Sequence, residues 1–340
     1  MSGEWKNFIA AQGLAGDGLS FGHGAAELAA AREGTVIVPV TDDGLILAAG
    51  DDAIPFLHNL LTNDVTHLAA DEVRFAGMCT AKGRLIASFE MWHDPRGLML
   101  LVAADILDAI QKKLSMYVLR SKVRLSRASD ETVLIGLAGP GAEAALAGLG
   151  TAQPALRKTC AFSGGTAVRL DERRILLAVV ATEAERIWSS LATHAKPAGT
   201  AAWRWLEILA GRPRVVASTQ EAFVPQMVNM EIPEVGGVSF KKGCYPGQEI
   251  VARTQYLGKV KRRMFRGRLA ENLPAGTDVY TPEAGDQHCG ALVSIAPSPD
   301  GGYDSLFVVQ SSGAEAGEVH VGSPAGPRID ILPLPYPLPA

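Results

Sequence analysis

Helical and extended patterns interleave over residues 1–258, and from about Lys259 the helical pattern stops. No other feature constrains the fold as much. Short strands mixed with helices give an α+β architecture rather than a doubly wound sheet. The stretch 259–340, dense in glycine and proline, is expected to form a separate small β-barrel domain. A chain of 340 residues exceeds one ordinary core and fits two or three domains.

Along the first region, VIVPV (36–40) and GLILAA (44–49) flank Thr41-Asp42-Asp43-Gly44 and predict a hairpin. Asp51-Asp52 predicts the cap of a helix running to about Thr62, with Ile54, Leu57, His58 and Leu61 at helical spacing. RFAGMCT, RLIASFEMW and LMLLVA predict a meander of strands. Ile106, Leu107, Ile110 and Leu114 form the apolar stripe of a helix over about 104–118. Strands follow at 122–126, 132–137 and 175–181, and helices at 183–194 and 201–209, the last stopped by Gly211 and Pro213. The final ILPLPYPLPA repeats proline too often for a helix.

The longest apolar run, Leu98 to Ala104, falls far short of the ~20 residues a membrane helix needs. The N-terminal residues lack the basic and apolar regions of a signal peptide. Four widely separated cysteines, with no CxxC, predict free thiols in a reducing, cytoplasmic setting. A mitochondrial setting would require a eukaryotic source, and no transit peptide is read. A net charge of −4 demands neither nucleic acid nor membrane as partner.

The chemistry concentrates in Phe240–Thr254, FKKGCYPGQEIVART. Tyr245-Pro246-Gly247-Gln248 predicts a type II turn, with proline second and glycine third. A helix follows from Gln248, with Ile250, Val251, Thr254 and Leu257 on one side and Gly258 as its cap. Cys244 then precedes a helix N-terminus, with Lys241 and Lys242 adding positive charge, and both influences favour thiolate. Gly243 leaves room for a ligand, and Gln248 and Glu249 bring an amide and a carboxylate within one turn. The same residues also suit a tight turn in which the cysteine packs as a small hydrophobe. No His/Asp constellation is visible around the thiol, and structural zinc needs about four ligands at close spacing.

KGCYPGQE, preceded by FVPQMVNMEIPEVGG and followed by IVAR, resembles the signature of the YgfZ-type proteins. These are folate-binding relatives of the glycine-cleavage T-protein (aminomethyltransferase), and they include mitochondrial iron–sulfur assembly factors. FLHNLLTNDV (56–65), CTAKGR (79–84), LAGP (137–140), AGRP (210–213), KVKR (259–262) and LPLPYPL (332–338) extend the resemblance over nearly the whole chain. It implies two interleaved α+β lobes within 1–258 that bind tetrahydrofolate or a related folate, followed by the C-terminal barrel. It further implies an accessory role in assembling or repairing iron–sulfur clusters, with assembly proteins or client enzymes as partners, some of them tRNA-modifying. Carried onto this chain, the functional thiol is Cys244, with Lys242, Tyr245, Gln248 and Glu249 around it. Gly243, Gly247 and Arg253 belong to the ligand-binding set, and Trp203, Gln226 and Asn229 are candidates for cradling a pterin ring.

Three positions depart from the aminomethyltransferase pattern. Lys82 to Ser88 carries no carboxylate where those enzymes place an aspartate pair, so one-carbon transfer lacks its proton-handling group. Leu209-Ala210-Gly211 stands where relatives show Glu-Ala-Gly, and Gly44 where an aromatic is expected. Residues 241–268 hold nine basic side chains (Lys241, Lys242, Arg253, Lys259, Lys261, Arg262, Arg263, Arg266, Arg268) against Glu249 alone, net +8. Such a segment suits a folate tail, an acidic partner or a phosphate backbone. No RNA-binding motif with stacking aromatics is read within it, which disfavours direct tRNA binding. The leading expectation is a folate-binding iron–sulfur accessory factor. A tetrahydrofolate-dependent aminomethyl or one-carbon transferase and a tRNA-binding module are the alternatives.

Overall fold

The computed structural model describes residues 3–256, 258 and 260–339. Lys259, where the change of character is expected, lies outside them, as does Leu257. The chain forms two compact units. The first holds residues up to Ala53, Leu68–Arg74 and Glu90–Leu206; the second holds Ile54–His67, Phe75–Phe89 and Glu207 onward.

A six-stranded sheet organises the first unit, in the order Lys196–Pro197, Val36–Pro39, Thr132–Ala138, Arg174–Val180, Gly165–Arg169, Thr159–Phe162. Every residue of Thr132–Ala138 is buried, which suits a strand hydrogen-bonded on both sides. Helices Gly3–Ala11 and Ala184–Leu191 cover it with Trp5, Ile9, Ile187 and Trp188, the two indoles meeting edge-on at 5.7 Å. In another sheet, Asp43–Ala49 pairs with Gly97–Ala103 and with Arg124–Arg127. Helix Leu107–Met116 buries Leu107, Ile110 and Leu114, as its stripe predicts.

The expected hairpin at 36–49 does not form. Val36–Pro39 pairs with Lys196–Pro197 and Thr132–Ala138, while Asp43–Ala49 pairs with strands of the other sheet. Both segments are apolar on both faces and sit between two neighbours, an option a two-stranded ribbon does not offer. The Asp pair read as turn residues instead clamps Arg204: Asp42 accepts from Nε at 2.8 Å and from NH2 at 2.7 Å, and Asp43 accepts at 2.5 Å. The helix expected to reach Thr62 is only Ala53–His58. Asp52 accepts the Lys122 N–H at 2.7 Å, and Thr62 is held elsewhere, donating to Gly237 O at 2.6 Å.

In the second unit the C-terminal residues form a curled, six-stranded antiparallel sheet, ordered His320–Val321, Asp278–Tyr280, Gly290–Pro297, Tyr303–Gln310, Arg262–Leu269, Asp330–Leu332. Leu269, Leu292, Phe307, Val309 and Ile329 fill its core. The proline-rich tail docks through Tyr336, which is buried and donates its hydroxyl to Gly211 O at 2.7 Å. A Cβ on Gly211 would stand 2.7 Å from that ring, which ties the AGRP and LPLPYPL segments together.

Trp203 is wholly enclosed in the first unit. A Cβ on Gly136, in the middle of strand Thr132–Ala138, would lie 2.6 Å from the indole, and Arg174 stands 5.1 Å over the ring. Gly136→Ala should therefore cost about 1–3 kcal/mol through overpacking. Denaturant unfolding of the purified variant measures this, and unchanged stability would mean the indole yields freely.

Candidate functional site

Cys244 is exposed, whereas Cys79 and Cys289 are buried and Cys160 is half-buried. What presents the thiol is the turn behind it. Gln248 N donates to Tyr245 O at 3.1 Å and Gly247 has φ +82°, the geometry of the expected type II turn. A Cβ on Gly247 would meet Thr80 O at 2.4 Å and Gly83 N at 2.7 Å. Gly83 is itself left-handed, at φ +71°. The CTAKGR and KGCYPGQE segments thus meet backbone to backbone, and only glycine serves at both contact points. Helix Gln248–Tyr256 continues from the turn.

Lys242 points inward. Its ammonium donates to Leu61 O at 2.6 Å and to His58 O, and it lies 4.8 Å from the centre of the Tyr245 ring. Burial lowers its pKa to about 8, against the attraction of Asp64 and Cys244. Tyr245 is buried beside it, its hydroxyl pushed far up by burial and then by Cys79. Burial alone drives the Cys79 thiol up to about 12, so that sulfur is inert at neutral pH.

The structure adds two residues that the sequence analysis did not place near the thiol. His58 Nε2 lies 3.8 Å from the position a Cβ on Gly243 would take. Its Nδ1 is 3.2 Å from Asp64 Oδ1, and Asp64 Oδ2 is 2.7 Å from His67 Nδ1. Burial, then Lys242, lower the His58 pKa. Burial opposes ionisation of Asp64, but hydrogen bonds from His67 prevail and lower its pKa. A neutral imidazole therefore borders the cysteine loop, backed by an ionised carboxylate. Both residues belong to FLHNLLTNDV, whose polar positions within an apolar run were the available signal.

The remaining candidates fall into separate places. Gln248 is half-buried on the site helix, and Glu249 and Arg253 are exposed on it. Gln226 and Asn229 are fully buried in the same unit. Gln226 Nε2 donates to Val251 O at 2.7 Å and so anchors the helix; Asn229, at φ 60°, donates to Met264 O at 2.8 Å. Each keeps its carbonyl oxygen without a partner, as does Glu231 Oε2. Trp203 belongs to the first unit and is buried there.

The basic segment 241–268 does not make a basic surface of its nine cations. Lys242 and Arg263 are buried, and Arg263 pairs with Glu231 at 2.6 Å. Arg268 bonds Asp304 at 2.8 Å and Asp300 at 3.2 Å. Lys241, Arg253 and Lys261 remain exposed, and Lys259 lies outside the described residues. No group of three or more His, Cys, Asp or Glu among the described residues is placed to hold a metal ion. No helix among them is long and apolar enough to cross a membrane.

Comparison with known proteins fits this arrangement. Residues 17–164 match the family model described as the GCVT N-terminal domain. The aminomethyltransferase T of the glycine cleavage system from Bartonella henselae has the same fold, with a TM-score of 0.72 over 93% of this chain and 90% of its own, at 17% identity. This is an aminomethyltransferase-like fold. Among curated relatives, the tRNA-modifying protein YgfZ of Vibrio vulnificus (strain YJ016) is 33% identical over 299 residues, 87% of this chain and 90% of that protein. The protein of the same name from Serratia proteamaculans (strain 568) is 30% identical over 309 residues, 89% of this chain and 92% of its own. The chain belongs to the YgfZ family.

The buried lysine has a measurable consequence. Unfolded, Lys242 titrates near 10.5, and folded at about 8. Between those values the fold has shed a proton that the unfolded chain retains, so stability rises with pH there. Wild type should gain on Lys242→Met as pH climbs through this window, read by denaturation at a series of pH values. A flat difference would mean that the ammonium is not buried in solution.

Proposed function

We propose that this protein is an accessory factor supporting tRNA modification, with Cys244 as its working group. One observation carries the assignment: of four cysteines, only Cys244 is exposed, and it sits on a turn that glycine contacts hold rigid. The relatives' shared name, tRNA-modifying protein, supplies the biological setting. A solvent-facing thiol beside a neutral imidazole suits transient contact with an iron–sulfur cluster, a cluster donor or a client enzyme. Assembly or repair of such clusters, on which tRNA-thiolating enzymes depend, is the role we assign.

The fold makes a tetrahydrofolate-type ligand the proposed small-molecule partner. The unpartnered oxygens of Gln226 and Asn229 suit the N–H groups of a pterin edge. Trp203 does not suit a stacking role, because the indole is buried against strand Thr132–Ala138 and Arg174. One-carbon transfer is disfavoured. The stretch lacking carboxylates runs into a buried strand, where Ile86 is enclosed and Ser88 Oγ accepts the Val215 N–H at 3.0 Å.

The test replaces Cys244 by Ser and by Ala in cells lacking the native protein and measures methylthiolated tRNA. Melting and tetrahydrofolate binding of the purified variants are followed in parallel. Loss of the modification with folding and binding intact is the expected result. Full rescue by Cys244→Ala would make the cysteine structural and overturn the assignment.

A further inference from the structure

The loop after helix Leu107–Met116 exposes three large apolar side chains within four residues: Met116 is 64% exposed, Tyr117 43% and Leu119 92%. The other five large apolar residues exposed among the described ones (Leu19, Leu156, Val180, Ile250, Tyr256) are spread along the chain. Exposed apolar residues that stand singly are ordinary, whereas a cluster rimmed by polar groups marks an interaction site.

The rim here is cationic. From Lys112 to Arg127 the sequence has six basic residues and no carboxylate. Arg127 reaches Asp108 at 3.2 Å and Lys122 reaches Asp51 at 4.0 Å. Lys112, Lys113, Arg120 and Arg124 have no ion-pair partner among the described residues. Beyond the loop, Arg124–Arg127 ends its sheet as an edge strand, its arginines facing solvent.

We propose that residues 112–127 are a docking surface for an acidic protein, distinct in kind from the thiol site. Its partner offers an apolar pocket to Tyr117 and Leu119 and rim carboxylates to the four unpaired cations. Methionine, tyrosine and arginine are enriched at protein interfaces. A phosphate backbone has no use for Met116 and Leu119, and a single tyrosine makes a poor stacking platform. An anionic bilayer is opposed by Asp51 and Asp108, which are 86% and 80% exposed beside the cations.

The test places a photo-crosslinker in the full chain in living cells, as Leu119→p-benzoylphenylalanine, with the same substitution at exposed Leu19 as the control. One acid-rich protein trapped at 119 and not at 19 is expected. With that protein purified, Tyr117→Ser with Leu119→Ser should weaken binding about tenfold or more, with unchanged melting. Arg120→Glu should weaken it too, and a carboxylate-to-lysine change on the partner's rim should restore it. Crosslinks to RNA, to lipid or to a second copy, the same products at both positions, or affinity indifferent to these substitutions would each overturn the proposal.

Discussion

The site depends on a backbone-to-backbone contact. Gly247 and Gly83 allow two tight turns to approach closer than any side chain permits, and each turn carries a motif glycine at positive φ. Everything in the cysteine loop follows from that anchor. With the turn fixed, Lys242 is directed inward to the carbonyls of His58 and Leu61, Tyr245 is buried over it, and Cys244 is left facing solvent. A buried ammonium costs desolvation, offset here by two carbonyl acceptors and an aromatic face. That balance favours the observed position of Lys242, where both carbonyls and the Tyr245 ring receive the ammonium.

Much of this was legible in the sequence wherever the determinants were local. The Tyr245–Gln248 turn, the stripe of Leu107, Ile110 and Leu114, and the switch to a mainly β C-terminal region all follow from local spacing and composition, the short helix Ser311–Ala316 excepted. The failures share a physical cause. Val36–Pro39 and Asp43–Ala49 looked like a hairpin because only their neighbourhood was visible; their real partners lie far along the chain. His58, backed by Asp64, borders the cysteine loop at Gly243 from nearly two hundred residues away, a proximity that no periodicity encodes.

Charge was the most misleading quantity in the sequence. Nine cations within 241–268 suggested a patch, yet burial and pairing with Glu231, Asp300 and Asp304 remove several of them from the surface. The run at 112–127 is shorter, but four of its six cations stay without an ion pair among the described residues, beside an exposed apolar cluster. Clustering in sequence becomes a field in space only when the strand pattern turns the residues outward.

The division of the chain carries a consequence for how the protein comes to exist. The second unit is discontinuous: Ile54–His67 and Phe75–Phe89 belong with Glu207 and beyond, and the path passes between units five times. The carbonyls that receive Lys242 are thus synthesised long before the lysine is. On the ribosome, the thiol loop has no finished seat until well over two hundred residues have emerged, and its acceptors wait unsatisfied in the meantime. A fragment beginning at Glu207 would hold the whole KGCYPGQE motif and Gln226, but not Gly83 or the carbonyls of His58 and Leu61. Proteolysis or truncation between the units would therefore abolish the site without touching a residue of its signature.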